Sequence, residues 1–243
     1  MKCLILAAGY ATRLYPLTEN FPKPLLEVGG RTIMDILIDD VSLSGEIDEY
    51  IVISNSKFYH HFKSWAKERG ERITVLDDGT SSNETRLGAV RDIEFAIKSL
   101  SLDDDLLVMA GDNLLDFSLC KFIFYAKEKK TSCVMRYTEQ NPKKLTKSGV
   151  LLIGDGDMVL KMWEKPAEPL SDQCCPPFYF FTRGDANLIS EALSSGAGAD
   201  APGSFIEWLA PRSEVHAMVM PGKRYDIGTL ESYEKIKREY KPL

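Results

Sequence analysis

Two cations follow a predicted strand in the first thirty residues. The stretch "LILAAGYATRLYPLTENFPKPLLEVGG", residues 4–30, passes from apolar residues into Gly9. Beyond that glycine, Arg13 and Lys23 stand among glycine, threonine and proline residues. Glycine lets a backbone approach a ligand closely, loop amides can cradle phosphate oxygens, and the two cations supply the opposite charge. The loop therefore suits a polyphosphate, although a lone pattern of this kind is more often a surface turn.

Two aspartates occupy positions from which they could hold a metal ion. Asp112 follows the predicted strand of "VMAGDN", and Asp226 in "YDIGT" precedes a glycine turn and a helix. Paired carboxylates beside a triphosphate can bind Mg²⁺, a hard cation that takes one or two carboxylates and keeps several waters. Each aspartate alone is more typical of a turn or a helix cap. A metal site therefore requires that the fold bring the two together.

A third candidate is the pair Glu164 and Lys165 in "MWEKP". Neighbouring residues on a strand point to opposite faces. A bend before Pro166 would turn both side chains toward one pocket. The alternative is a solvated edge strand.

The elements that position these residues alternate between strands and helices in the first half of the chain. Strands are predicted at residues 2–8, 49–54, 73–78 and 105–112, and helices at 31–44, 57–69 and 86–100. This alternation predicts crossover connections and a largely parallel sheet with helices on both faces. The second half favours antiparallel additions: strands at 131–138 and 176–182, a hairpin over 148–166 that turns at 155–157, and a final helix at 229–239.

Composition narrows the classes of function. The chain has 243 residues, of which 44% are hydrophobic, so it can bury a sizeable core. A net charge of −6 argues against general binding of nucleic acid. Five cysteines without zinc-ligand spacing predict free thiols and a reducing compartment. Because neither a signal peptide nor a transmembrane stretch is recognisable, we expect a cytoplasmic protein without a membrane partner.

The opening stretch resembles the signature of the sugar-1-phosphate nucleotidyltransferases, or nucleotide-sugar pyrophosphorylases: L-A-x-G-x-G-T-R-L-x-P-L-T followed by P-K-P-L-L-x-V. The later G-D-N, E-K-P and D-x-G-T motifs are similar to that family's motifs and occur in the same order, up to Thr229. The resemblance implies a three-layer, Rossmann-like α/β sandwich with a mixed, mostly parallel central sheet. It implies one catalytic domain over 1–243, with a nucleotide half at about 1–130 and a sugar-phosphate half at 131–243, without the β-helix domain of longer relatives.

The resemblance also implies roles for individual residues. Catalysis would depend on Arg13 at the phosphates, Lys23 at the α-phosphate, and Mg²⁺ on Asp112 and Asp226. The residues expected to bind the nucleotide are Leu6, Ala7, Ala8, Gly9, Ala11, Thr12, Arg13, Lys23, Thr85, Gly88 and Asp112. The residues expected to bind the sugar phosphate are Asn113, Gly149, Glu164, Lys165 and Tyr179.

Two positions depart from the family pattern. Ala11 replaces its second glycine, and a methyl group is tolerated there where φ is negative. Arg224 stands where the family often has a tryptophan, two residues before the second aspartate, so the wall beside the metal is expected to differ.

The implied reaction joins a nucleoside triphosphate, with dTTP or UTP favoured, to a sugar 1-phosphate, with a hexose favoured, and releases pyrophosphate. The attack on the α-phosphorus would be in line and without a protein nucleophile. The expected partners are these small molecules, and a homo-oligomer is left open. The alternatives are an inactive regulatory homologue that binds nucleotide or sugar phosphate, a phosphocholine-type cytidylyltransferase, and a glycosyltransferase. The last usually carries a D-x-D motif, which "GDNLLD" lacks.

Overall fold

The structure is a computed structural model that describes residues 1–70 and 72–240. The strands within these residues are β1 (Lys2–Leu6), β2 (Glu27–Val28), β3 (Arg31–Thr32), β4 (Glu49–Ser54), β5 (Ile73–Asp77), β6 (Leu106–Ala110), β7 (Asn113–Leu115), β8 (Ser132–Thr138), β9 (Gly149–Ile153), β10 (Val159–Glu164), β11 (Gln173–Cys175), β12 (Phe178–Phe181), β13 (Val215–Val219) and β14 (Arg224–Asp226). The helices are α1 (Ile33–Ser42), α2 (Tyr59–Arg69), α3 (Ala89–Leu100), α4 (Cys120–Lys129), α5 (Pro142–Leu145), α6 (Arg183–Ala186), α7 (Ile189–Ser194), α8 (Gly203–Leu209) and α9 (Leu230–Glu239).

The chain forms two compact units, each assembled from separate stretches of sequence. The first unit comprises Met1, Leu87–Met109 and Phe122–Met220. The second unit comprises Lys2–Arg86, Ala110–Lys121 and the segment that begins at Pro221. The expected organisation as one catalytic domain with two halves stays a prediction.

The second unit contains the parallel strands that the sequence predicts. β4 pairs in parallel with β1 on one side and β5 on the other. Its central residues Ile51, Val52 and Ile53 are fully buried, as expected of a strand covered on both faces. The crossover helix α1 begins at a capping box in which Thr32 accepts a hydrogen bond from the Asp35 amide at 3.0 Å. Because residues 31–32 pair with β2, this helix is two residues shorter at its start than predicted.

A short antiparallel ladder, β7 with β14, completes the part of the second unit that concerns function. It pairs Asp226 with Asn113 and Arg224 with Leu115. Helix α9 follows, and the hydroxyl of Tyr240, the residue after its last turn, donates to the Leu115 carbonyl at 2.9 Å. Three-residue strands carry too little periodicity to be recognised, and the sequence did not predict this ladder.

The first unit contains a mixed sheet in the order β10-β9-β11-β8-β12-β6, with β13 in parallel beside β8. The pairs between β10, β9, β11, β8, β12 and β6 are antiparallel. The predicted hairpin is present as β9 and β10, and it turns at residues 155–157. Antiparallel additions are therefore present in the second half as predicted, except that β13 joins in parallel. The elements α4, α5 and β11 were not predicted.

Two further expectations can be compared with the described residues. The five cysteines, all of which lie in the described part of the chain, are free thiols as predicted. Within residues 1–70 and 72–240, no helix combines the length and the apolar character that crossing a bilayer requires.

Candidate active site

A cavity of about 240 Å³ lies in the second unit beyond the carboxyl end of β1. The carboxyl ends of parallel strands are where ligands bind in α/β sheets. Eight of the residues that line it are residues expected to bind nucleotide or metal: Leu6, Ala7, Gly9, Ala11, Arg13, Lys23, Asp112 and Asp226. Ala8 lies beside this wall, where its carbonyl accepts a hydrogen bond from Asn55 at 2.9 Å.

Lys23 and Asp112 form an ion pair in the cavity. Lys23 begins a short 3₁₀ turn between Pro22 and Pro24 and is only 7% exposed. Its Nζ donates to Oδ2 of Asp112 at 2.7 Å. The two prolines restrict the backbone on either side of the lysine. The sequence therefore holds a buried cation in a defined position beside a carboxylate.

The other oxygen of Asp112 is held by its neighbour in the chain. Asn113 donates from Nδ2 to Oδ1 of Asp112 at 2.9 Å, and its own Oδ1 accepts from Nη1 of Arg224 at 2.7 Å. Asn113 is 1% exposed. Both ends of its amide are thus engaged within the protein, and the contact of Asn113 with a sugar stays a prediction. These hydrogen bonds favour a role in holding Asp112.

Asp226 presents a carboxylate that is exposed and unpaired. It lies on β14 opposite Asn113, and its Oδ2 is 3.7 Å from the point where a Cβ on Gly228 would stand. In the described part of the chain, no hydrogen bond or ion pair engages this carboxylate. The side chain of Asp112 is 38% exposed at the same cavity. Two carboxylates facing one space are a hard-oxygen donor set, which fits Mg²⁺ with waters or phosphate oxygens as its remaining ligands.

The loop from Gly9 to Leu14 supplies an open wall and a free cation. A Cβ added to Gly9 would meet no atom within 4 Å, so a ligand can approach the backbone there. Thr12 begins a short 3₁₀ turn, and the exposed Arg13 follows it. Among residues 1–70 and 72–240, Arg13 has neither a hydrogen bond nor an ion pair. An exposed guanidinium without a protein partner at a cavity wall suits an anionic ligand.

Ala11 adopts a left-handed backbone conformation that is unfavourable for alanine. Its φ of 47° and ψ of 42° lie in the left-handed region, which favours glycine, so the condition of a negative φ, under which a methyl group is tolerated, is not met. Its carbonyl accepts from the amide of Leu14 at 2.9 Å and from Oγ1 of Thr18 at 2.8 Å. These two bonds hold the strained residue in place.

The residues expected near the base are distributed over both units. In the second unit, Thr85 lies in an exposed loop and bonds to Ser82. Gly88, in the first unit, has φ 94°, and a Cβ there would stand 2.6 Å from the carbonyl oxygen of Ala199. The amides of Ala89 and Val90 donate to the 199–200 segment. The close approach of this segment thus accounts for Gly88, and it explains why α3 begins later than predicted.

Asp78 is a candidate that the sequence analysis missed. It follows the parallel strand β5, and its Oδ1 accepts from the amide and the hydroxyl of Thr80, each at 2.7 Å. Its Oδ2 is buried and has no hydrogen-bond partner in the described residues. Burial raises the pKa of this carboxyl group. The sequence "LDDG" could have indicated this residue, because its second aspartate follows the end of a strand. The predicted strand at 73–78 included Asp78, whereas β5 ends at Asp77.

Gly149 and Glu164 meet in the first unit. They are direct partners across β9 and β10, and a Cβ on Gly149 would stand 3.1 Å from Oε2 of Glu164. A Cβ on Gly203 would collide with the same oxygen. Burial raises the pKa of Glu164. The positive charge of Lys165 lowers this pKa, and the nearby carboxylates of Glu207 and Asp200 raise it further. Two glycines therefore make room for one half-buried carboxylate.

The backbone bend predicted before Pro166 is present. Lys165 has φ 50°, in the left-handed region, and its amide donates to the carbonyl of Ser148 at 3.1 Å. Its Nζ, half exposed, lies 3.8 Å from Oε1 of Glu164. Tyr179, by contrast, is 3% exposed and stacks on Phe181, so core packing accounts for it.

Comparison with known proteins places these observations in a family. The family model described as "Nucleotidyl transferase" matches residues 2–242. A UTP–glucose-1-phosphate uridylyltransferase, AglF of Haloferax volcanii, is 26% identical over 98% of this chain and 96% of its own. A relative from Sulfolobus acidocaldarius is 28% identical over 98% of this chain, which spans only 63% of that relative's length.

Solved structures agree on the fold. A Bacillus anthracis structure superposes with a TM-score of 0.83 at 22% identity and covers 99% of this chain and 96% of its own. UDP-glucose pyrophosphorylase in complex with UDP-glucose gives a TM-score of 0.81 at 19% identity and covers 98% and 97%. These superpositions confirm the predicted α/β fold class, and the family match confirms the resemblance. The chain belongs to the nucleotidyl transferase family.

Proposed function

We propose that this chain is a sugar-1-phosphate nucleotidyltransferase that converts a nucleoside triphosphate and a sugar 1-phosphate into a nucleoside diphosphate sugar and pyrophosphate. The observation that carries the proposal is the cavity of the second unit. A buried lysine, two carboxylates and an unpaired arginine line it beneath a glycine loop. The names of the relatives support the same activity.

The triphosphate would bind along the loop. The open space at Gly9 admits phosphate oxygens, and Arg13 is free to pair with the phosphates that depart as pyrophosphate. An oxygen of the sugar phosphate forms the new bond to the α-phosphorus, and the bond to the bridging oxygen of the leaving pyrophosphate breaks. Lys23 is held by packing and by two prolines, so it can stabilise charge on the α-phosphate without moving during the reaction. Catalysis is then positioning and charge neutralisation.

Asp112 and Asp226 would hold Mg²⁺. The fit of the donor set supports this assignment, because one carboxylate is unpaired and the other is partly exposed at the same cavity. The ion, when bound, offsets negative charge on the phosphates. No group of three or more metal-ligating side chains occurs in the residues that the structure describes. The remaining ligands would therefore be waters and phosphate oxygens.

The first unit would supply the acceptor residues. Lys165 is the exposed cation suited to the sugar phosphate, and the carboxyl group of Glu164 is suited to a sugar hydroxyl. The half-buried position of Glu164 between two glycines supports a specific polar contact, because a carboxyl group that is largely removed from water needs a hydrogen-bond partner. Organisation as a single catalytic domain and a cytoplasmic location stay predictions, and the oligomeric state stays open.

A pyrophosphate-release screen tests the proposal. It crosses ATP, CTP, GTP, UTP and dTTP with a panel of sugar 1-phosphates and phosphocholine. We expect release with at least one sugar 1-phosphate, with UTP or dTTP and a hexose 1-phosphate as the first pair to measure. Release with phosphocholine alone would show a cytidylyltransferase instead. Tight nucleotide binding without turnover on any acceptor would show a regulatory homologue.

A further inference from the structure

We propose that Arg224 is a positioning residue of the metal site, because its guanidinium fixes the Asn113 amide that in turn fixes Asp112. The inference rests on the proposed function, since it takes Asp112 to be a metal ligand. It also assigns a role to Arg224, which stands where the family pattern often has a tryptophan. The contacts that carry it all lie within the second unit.

The register of β7 and β14 brings the three side chains to one face. Asn113 is the direct antiparallel partner of Asp226. Arg224 is two residues before Asp226 on the same strand, so both side chains leave on the same side as that of Asn113. A diagonal neighbour across a ladder is within reach of a long side chain. The observed 2.7 Å bond from Nη1 of Arg224 to Oδ1 of Asn113 uses that reach.

Hydrogen-bond chemistry allows only one orientation of the Asn113 amide. A guanidinium can only donate and a carboxylate can only accept. The amide oxygen must therefore face Arg224, and the amide nitrogen must face Asp112, where it donates at 2.9 Å. The opposite orientation would set oxygen against carboxylate and NH₂ against guanidinium. Since Asn113 is 1% exposed, water cannot take the place of either partner.

The consequence is a carboxylate held at both oxygens. Lys23 engages Oδ2 of Asp112, and Asn113 engages Oδ1. Residues that orient a metal ligand typically change metal affinity by about 10- to 100-fold when they are lost. A nearby positive charge by itself has the opposite effect, because it repels a cation. The sign of the change therefore separates positioning from simple electrostatics.

The test is a titration of the full chain with Mn²⁺ alone. Electron paramagnetic resonance measures the concentration of free Mn²⁺ at each step. We expect Arg224→Leu to weaken Mn²⁺ binding about tenfold. Arg224→Lys should lose less, because an ammonium can still donate to the Asn113 oxygen. Lys223→Leu is the matched control: it removes an exposed cation one residue away and should leave binding unchanged or slightly tighter. Unchanged or tighter binding in Arg224→Leu would overturn the inference.

A double substitution shows whether Arg224 acts through Asn113. The double variant Arg224→Leu/Asn113→Ala should bind Mn²⁺ as tightly as Asn113→Ala alone. Without the Asn113 amide, Arg224 no longer has a contact through which it can position Asp112. Full additivity would overturn the proposal. Thermal unfolding of each variant checks the fold. Should Arg224→Leu fail to fold, the same comparisons are made with Arg224→Met, which keeps an unbranched side chain but cannot donate to Asn113. A loss of affinity that is fully additive with Asn113→Ala, or no loss at all, again overturns it.

Asp112→Asn in the same titration distinguishes a failure of the metal assignment from a failure of the positioning role of Arg224. If it abolishes Mn²⁺ binding while Arg224→Leu changes nothing, only the positioning role fails. If it leaves Mn²⁺ binding unchanged, Asp112 is not the metal ligand, and both the metal assignment and the inference fail. A wild-type chain that binds no Mn²⁺ would also overturn the inference, which requires a preformed site.

Discussion

Replacing Lys23 by methionine removes one positive charge at similar side-chain length, and we expect it to lower kcat by about 10²-fold or more. The magnitude follows from the position of the lysine. Its ammonium lies 2.7 Å from Asp112, and the residue is 7% exposed, so water cannot replace the lost charge well. A preorganised electrostatic group of this kind contributes about 2.7 kcal/mol or more to the barrier, which corresponds to that factor.

The same substitution should leave folding and ground-state binding nearly intact. Methionine preserves the packing of the lysine stem. Asp112 keeps its bond from Asn113, and its side chain is 38% exposed, so water can solvate the freed oxygen. The change in free energy of unfolding should stay within about 1 kcal/mol.

The assay combines steady-state pyrophosphate release, calorimetric dissociation constants for both substrates, and thermal unfolding. Lys67→Met, which removes an exposed lysine of α2, is the matched control and should behave as wild type. A loss in kcat below about threefold, which is under 1 kcal/mol of barrier, would refute the catalytic assignment of Lys23. The assignment would also be refuted if the lower activity were explained entirely by a higher dissociation constant for the nucleotide.

Three further predictions address other parts of the molecule. Ala11→Gly should raise the free energy of unfolding by about 0.5–1 kcal/mol in urea, because it relieves a left-handed alanine, and a less stable variant would contradict this reading. Arg13→Ala should chiefly weaken triphosphate binding and Lys165→Ala sugar 1-phosphate binding; calorimetry in which both changes act on one ligand alone would contradict that division. Glu164→Gln should be more stable than wild type at neutral pH. Burial raises the pKa of Glu164, so the free energy of unfolding of the wild type decreases as pH rises through that raised pKa, whereas glutamine does not titrate. Parallel curves of stability against pH for the two proteins would contradict this prediction.

The parallel strands of the second unit could be predicted because their signal is local. An apolar run such as "EYIVIS" is complete within six residues, and β4 has the predicted bounds. The loop of Gly9, Arg13 and Lys23 was predicted for the same reason, since one continuous string carries all of it. The structure places these residues around one cavity.

The rest depends on contacts between distant residues. The bond of Arg224 to Asn113 requires a ladder of two three-residue strands that lie 111 positions apart, and no local pattern announces it. The left-handed conformation of Ala11 is stabilised by bonds from Leu14 and Thr18, and the presence of an alanine in the sequence does not reveal it. The contact of Gly88 with a base stays a prediction, and the tight approach of residues 199–200, which also requires glycine there, could not be foreseen from the sequence.

The most direct test of the central claim is the Mg²⁺ dependence of pyrophosphate release in Asp226→Asn. Asp226 is exposed and, in the part of the chain that the structure describes, engages no other side chain, so the substitution should leave thermal unfolding unchanged. Asp155→Asn removes another exposed carboxylate, in the hairpin turn of the first unit, and serves as the control. We predict that Asp226→Asn loses most turnover at limiting Mg²⁺ while the control retains it. Near-normal turnover of Asp226→Asn at limiting Mg²⁺ would contradict the assignment of this carboxylate to the metal.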